Sequence, residues 1–496
     1  MGTGIIERQG LPLRVGVVTL GLVAVFVLGF GLFAIKTHPH PPLISLSVSI
    51  DVKHPGPVVP EKFLGLSFEM SSLRVIARYG GHGNLVGLLR SLGPGVLRFG
   101  GVSADTEVAW TDHATRLPNW SSKSLDRSEL YELHALAARS GWHILLTVGL
   151  AHYEPRVAAR EAAVAKRALG GWLMGIELGN EPDAYARHGL RSPSWTFSEY
   201  EAQIAAYRRA IERAAPGLPI VGPDVSGSRI FDSWGRRAAP HVRPVILTGH
   251  HYPLGCRSVP PPTIARLLSP TIRHAEDASL HRYMAVSHRA AIMFRLDETN
   301  SVSCGGKRGI SDRFASALWA VDYIAHAMAA GVSGINLQGN PANCAGYTPV
   351  CAPSPRSLSR GALVAHPEWY ALLMTKTLIG SRPLPTTVSR GNANIDAVAF
   401  LSSGKRLHVL IVDDAPSGAK RVSIRFHPRR RYSHETAFVL SAPSLSATSG
   451  VRLGGRVVEP DGGWQAPKQI ELRPNRTGAV ILDVASSSAV LITLVP

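Results

Sequence analysis

Two glutamates in this chain stand where an apolar run gives way to a loop. The run from Trp172 to Leu178, in GWLMGIELGNEPDAYAR, is short, contains Ile176 and stops at Gly179 and Pro182. It reads as a buried strand that delivers Asn180, Glu181 and Pro182 at its end. The run from Ala291 to Leu296 repeats the pattern and delivers Asp297 and Glu298 into a Ser/Gly-rich loop. No local motif spans the distance between the two, but three intervening βα units would. Paired carboxylates at one pocket suit glycoside hydrolysis, in which one protonates the leaving oxygen and the other attacks the anomeric carbon or activates water. A gap of about 5 Å would give retention, and one of about 6.5 Å or more inversion.

The elements needed to position such a pair are present. Strand candidates lie at 63–69, 95–99, 143–149, 172–178, 219–222, 245–250, 291–297 and 334–338. Helical spacing of apolar residues falls between them at 84–91, 128–140, 157–169, 198–214 and 313–330. Eight strands alternating with helices predict an α/β fold, a (β/α)8 TIM barrel with its site at the C-terminal ends of the strands. In the last helix Trp319, Tyr323 and Met328 read as its barrel-facing side. From about Ser381 the helical period disappears and short strand-like runs predict a C-terminal antiparallel β-sandwich. Leu43 to Val52 alternates apolar and polar residues as a half-buried strand, and 352–361 reads as a loop.

Six segments in order, FLGLSFEM (63–70), LRFGGVSADTEVAW (97–110), GIELGNEPD (175–183), GHHYP (249–253), LDETNSVSCGG (296–306) and CAGYTPV (344–350), carry a resemblance. Together they make the chain similar to the heparanase and β-glucuronidase family of retaining glycoside hydrolases. The resemblance implies Glu181 as general acid/base with a raised pKa, and Glu298 as nucleophile. It implies Asn180 on the sugar hydroxyl beside the anomeric carbon, Tyr252 on Glu298, and Glu69 and Asp105 on further hydroxyls. For a uronic acid it implies Gly305, with Gly306, and Tyr347 around the sugar carboxylate. Ser303 stands where such members place a Tyr. It also implies that the strand before the barrel joins the sandwich.

Asp297 is a rival nucleophile, but neighbours in a strand point to opposite faces, so one of the two carboxylates should turn away. By the same argument His250 and His251 diverge, one into the site and one into the core. Arg98, in a buried strand, is expected to pair with an internal carboxylate. No metal is expected, since no CxxC or HExxH spacing occurs, and no cofactor is implied.

The formal net charge of +18 favours anionic partners. No nucleic-acid module accompanies it, and the one compact basic run, Arg429 to Arg431, reads as a solvated loop. The expected partner is a carbohydrate, including acidic glycans, and no protein partner is expected. Val15 to Ile35 is uncharged and long enough for a transmembrane helix, with Arg8 and Arg14 before it and Lys36 after it. The expected organisation is a cytoplasmic segment (1–14), a signal anchor (15–35), a spacer with the joining strand (36–60), the barrel (61–375) and the sandwich (376–496). Signal cleavage and secretion is the alternative. Of three connectivities for four cysteines, Cys344–Cys351 is the most local and Cys256–Cys304 would staple two loops. The expected function is a membrane-anchored, outward-facing retaining β-glycosidase acting on β-glucuronides. The alternatives are a glycosidase or transglycosylase on neutral sugars, and a catalytically silent glycan-binding envelope protein.

Overall fold

The computed structural model describes residues 44–495, other than 112–115, 419, 428–431, 433, 466–468 and 473–478. The expected membrane segment at 15–35 and the run at Arg429 to Arg431 lie outside the described residues. Among those residues no helix is long and apolar enough to cross a membrane.

Eight parallel strands close a barrel: Leu64–Glu69, Val96–Gly100, His143–Val148, Leu173–Leu178, Ile220–Val225, Leu247–His251, Phe294–Thr299 and Gly334–Gly339. They pair in chain order, and the eighth closes on the first with Ile335 opposite Leu64. Because helices cover the outside and side chains fill the inside, these strands are buried on both faces and read as apolar runs. All eight fall within a few residues of the expected positions. The residues at 291–293 instead end the helix Pro270–Ala290, with Ala291 left-handed at its C-cap.

Two sheets form the sandwich. One holds Ile44–Asp51 between Thr386–Ser389 and Lys420–His427, with Val480–Val484 beyond. The expected strand before the barrel is thus in this sheet, but it pairs parallel with Lys420–His427, so the sandwich is not wholly antiparallel. Residues 43–496 cluster as one compact unit. The helix Phe314–Ala330 is buried along most of its length because it packs on the barrel and on the sandwich, which explains why it shows no polar face. The segment expected as a loop at 352–361 contains the short helix Pro355–Arg360, capped by Ser354.

Two carboxyls lie buried behind the barrel, where burial pushes Glu161 and Glu368 up to about 8. Their folded values lie above the ordinary 4.5, so the stability they contribute is fully present below that value and is lost as pH rises toward 8. Each costs about 3 kcal/mol at pH 7. Urea unfolding should therefore give a lower midpoint at pH 8 than at pH 5, and Glu368→Gln, which keeps the shape without needing a proton, should flatten that slope. An unchanged slope in the variant would refute the assignment for Glu368.

Candidate active site

The site is built around Arg98, on the second barrel strand and fully buried. All of its guanidinium nitrogens are engaged. Nε donates to Glu177 Oε2 at 2.8 Å. One terminal nitrogen donates to Glu298 Oε2 at 2.7 Å and Ser67 Oγ at 3.2 Å. The other donates to Asp224 Oδ2 at 2.9 Å and Asn180 Oδ1 at 3.0 Å. One planar fork on the second strand thereby fixes groups from the first, fourth, fifth and seventh strands. The expectation that Arg98 meets internal carboxylates holds.

Glu298 accepts a second hydrogen bond from the Tyr252 hydroxyl, 2.7 Å from Oε1. Both of its oxygens are thus engaged by donors. His250, buried at the end of the sixth strand, lies between the two glutamates, with Nδ1 3.0 Å from Glu181 Oε1 and 3.8 Å from Glu298 Oε1. The separation of those oxygens cannot exceed the sum of these two distances. That bound accommodates the spacing of about 5–5.5 Å between the carboxyl groups of retaining enzymes.

The acidity of Glu181 differs from expectation. Burial raises it, but the hydrogen bond and charge of His250 outweigh burial and hold the carboxyl below its ordinary value. His250 is shifted well upward: burial opposes its charge, while Glu298 and Asp224, the latter 2.7 Å from Nε2, favour it. The proton of this pair therefore rests on the imidazole when no substrate is bound. Glu181 and Asp224 both have left-handed backbones, with φ of 50° and 58°, and the Glu181 amide donates to the Asp224 carbonyl at 3.0 Å. Non-glycine residues held in that region mark sites where surrounding structure over-determines the backbone.

Asp297 does not turn away from the barrel. The pairing on the sixth strand jumps from Leu296–Gly249 to Glu298–His250, and this bulge lets neighbouring carboxylates both face inward. Asp297 lies 3.9 Å from Arg98 Nε and 3.9 Å from His250 Nε2. Burial and then the charges of Asp224 and Glu177 push its carboxyl well upward. A proton on Asp297, shared with Glu177, satisfies oxygens of both that otherwise lack partners. Asp297 is thus a neutral internal group. His251 faces the other way, 3.3 Å from Ser279 Oγ and packed on Tyr323, as the divergence argument required.

Asp105 is corrected from a sugar ligand to a structural one. Oδ1 accepts from the Leu150 and Ala151 amides, and Oδ2 from the Asn180 amide and the Tyr185 hydroxyl. Four donors within the protein occupy it, and through the Asn180 amide it sets the loop that carries Glu181. Glu69 keeps a place at the site: Oε2 accepts from the Ser103 amide and hydroxyl, which leaves Oε1. A Cβ at Gly101 would lie 2.3 Å from Glu69 Oε2, so the second glycine of the motif makes room for this carboxylate. Asn180 is held through Oδ1, which accepts from Arg98.

Tyr347 stacks on Tyr252 with ring centroids 5.9 Å apart, and its amide donates to the Gly305 carbonyl at 3.3 Å. The Tyr252 hydroxyl, which donates to Glu298, lies 3.4 Å from the Tyr347 hydroxyl. Ser303 is half-buried, and its Oγ accepts from the Cys256 amide at 3.1 Å, next to the Cys256–Cys304 disulfide. The other bridge is Cys344–Cys351.

The sequence reading missed Glu177 and Asp224. Each is a charge inside an otherwise apolar strand, LMGIEL and IVGPDV, and that was the available signal. Besides Cys344–Cys351–His366, whose cysteines are joined as a disulfide, two trios of possible ligands lie close together among the described residues, Asp224–His250–Asp297 and Asp322–His326–Asp396. Arg98 already neutralises the first, and Arg273 and Arg390 bind the second, so their chemistry does not call for a metal.

No protein-family model matches the chain. It is 28% identical over 219 residues to a β-glucuronidase of Neurospora crassa, covering 40% of this chain and 37% of that protein. It is 29% identical over 173 residues to a β-glucuronidase of Aspergillus niger, covering 31% and 32%. The chain thus spans about a third of the length of the curated relatives it matches. Among solved structures, a 4-O-α-L-rhamnosyl-β-D-glucuronidase from Fusarium oxysporum superposes with a TM-score of 0.70 at 17% identity, over 90% of this chain and all of that one. A GH51 arabinofuranosidase from Xanthomonas axonopodis gives 0.66 at 14% identity, over 91% and 100%. The chain is thus similar in sequence to β-glucuronidases over part of its length and shares the fold of glycoside hydrolases.

Proposed function

We propose that the protein is a retaining β-glycosidase whose first substrate class is β-glucuronides, with Glu298 as nucleophile and Glu181 as acid/base. The observation that carries this reading is one imidazole nitrogen in reach of both carboxylates, with Glu298 held in place by hydrogen bonds from Arg98 and Tyr252. Glu298 forms a bond to the anomeric carbon as the glycosidic bond breaks, and the leaving oxygen takes a proton from Glu181. Esterification removes the Glu298 charge, the leading influence that holds the proton on His250. The proton is released toward Glu181 as the leaving oxygen needs it. In the second step Glu181 takes a proton from water, the water oxygen attacks the anomeric carbon, and Glu298 leaves as a carboxylate.

The sugar class is supported by the sequence relatives and by Tyr347, stacked on the Tyr252 that binds Glu298, with the Gly305 carbonyl at its amide. A neutral-sugar reading is favoured by Ser303, whose hydroxyl is engaged with the Cys256 amide where a Tyr was expected. The proposal places the catalytic part outside the cytoplasm, which the two disulfides support.

A panel of p-nitrophenyl β-D-glucuronide, β-D-glucoside and α-L-arabinofuranoside tests the sugar class, with the first expected to be cleaved fastest. Proton NMR of the earliest product should show the β-anomer. An α-anomer as first product would sink the double displacement, and a preference for glucoside would move the substrate to neutral sugars.

A further inference from the structure

Asn300 follows the seventh barrel strand, two residues after Glu298, and its side chain ties three segments together. Its Nδ2 donates to the Gln338 carbonyl on the eighth strand at 2.9 Å and to Glu368 Oε2 at 3.0 Å. Its Oδ1 accepts from the Ser301 amide at 2.6 Å and lies 3.0 Å from the Ser301 hydroxyl. That hydroxyl is 2.9 Å from Ser311 Oγ, which accepts from the Lys307 amide at 3.0 Å. Glu368, Asn300, Ser301 and Ser311 are all 0% exposed, so this chain of hydrogen bonds is shielded from water, where such bonds are electrostatically stronger.

The far end of the chain reaches the wall beside the nucleophile. The Lys307 amide comes directly after Gly305 and Gly306. A Cβ at Gly306, where φ is 86°, would lie 2.3 Å from the Tyr347 amide nitrogen and 3.0 Å from Ser311 Cβ. Backbone thus packs on backbone there, and Tyr347 in turn stacks on the Tyr252 that binds Glu298. The near end carries a costly group. Glu368 stands second in the helix Pro367–Thr375, which is buried at every position, and only neutral hydrogen bonds from Asn300 and Ser316 oppose the effect of burial on its carboxyl. An apolar residue would fill that position without a proton to hold, so the carboxyl is explained by what it binds, the Asn300 amide.

We propose that Glu368 is a positioning residue for the site: through Asn300, Ser301 and Ser311 it sets the loop 301–311 against Tyr347. The inference rests on the glycosidase reading, in which Glu298 attacks the retained sugar and the groups around Glu298 face that sugar. A loosened loop weakens the hold on the sugar in the ground state and the transition state alike, which raises KM and leaves kcat. Loss of folded protein does the opposite, lowering apparent kcat at constant KM.

Kinetics of the full chain on the faster-cleaved of p-nitrophenyl β-D-glucuronide and β-D-glucoside separate the two cases. In Glu368→Leu KM should rise about ten-fold with kcat within about three-fold of wild type. Ser311→Ala, at the other end of the chain of hydrogen bonds, should raise KM about three-fold. Glu368→Gln keeps an acceptor for Asn300 and should restore the wild-type KM. Hydrogen exchange reads the loop without turnover: amides of 301–307 should exchange about ten-fold faster in Glu368→Leu but not in Glu368→Gln, with the barrel strands unchanged. An unchanged KM in Glu368→Leu and Ser311→Ala, a KM in Glu368→Gln as high as in Glu368→Leu, or exchange that rises evenly over the barrel overturns the positioning role. Should Glu368→Leu not fold, Ser311→Ala decides by the same two readouts. If the wild type cleaves no p-nitrophenyl glycoside, the glycosidase reading fails, and exchange still decides whether Glu368 sets the loop.

Discussion

Replacing Glu298 with glycine is expected to lower kcat/KM on an aryl β-glycoside by about 10⁴-fold or more, because no other group can form the bond to the anomeric carbon. Asp297 cannot take over: it is fully buried, and its carboxyl is pushed far upward by burial and by Asp224 and Glu177. The fold should survive the change, since Arg98 keeps Glu177 and Asp224 as counter-charges. Azide supplied to the variant should restore turnover by attacking where Glu298 attacked, and should yield the α-glycosyl azide. In Glu181→Ala the nucleophile is intact, so azide should intercept the glycosyl-enzyme and yield the β-glycosyl azide. The two variants therefore report on opposite faces of one carbon, with NMR of the products as the measurement. The same anomer from both, or wild-type turnover in either, would rule out the assigned roles.

The ends of the barrel strands were legible because burial on both faces writes them as apolar runs that stop at glycine or at polar residues. Glu181, Glu298 and Tyr252 could be placed from that pattern and the motifs around them. Registers were not legible. The bulge that turns Asp297 inward depends on how the sixth and seventh strands slide past each other, and alternation within one strand gives no hint of it. The helix Ser228–His241 was missed, and so was Pro270–Ala290, whose long polar surface shows little helical period.

Roles were harder to read than positions. Asp105 sits where a sugar ligand is expected, yet four donors from three other segments converge on it. The sign of the Glu181 shift depends on His250, whose proximity is a product of the closed barrel rather than of the chain around Asn180. A strand-end acid acquires its acidity from its neighbours across the barrel, and no neighbour in sequence supplies it.

Arg98→Met should produce the largest loss of stability of any single change in the site, about 3–5 kcal/mol, because it leaves buried carboxylates without their counter-charge. Glu177, Asp224 and Glu298 each accept a hydrogen bond from Arg98, and the first two are at most 1% exposed. Lysine should recover only part of the loss, since one ammonium cannot reach partners on the first, fourth, fifth and seventh strands together. The pH dependence gives the test its sign. In the wild type Arg98 helps hold the Asp224 carboxyl below its ordinary 3.8, so this stabilisation is present above 3.8 and is lost as pH falls further. In Arg98→Met Asp224 loses the largest influence that opposes burial, so it takes up a proton at a higher pH than in the wild type and the variant recovers stability on acidification. The difference in urea-unfolding free energy between wild type and variant should therefore narrow on acidification. A gap below about 1 kcal/mol at pH 7, or one that stays constant down to pH 5, would show that Arg98 does not carry the charge balance of the site.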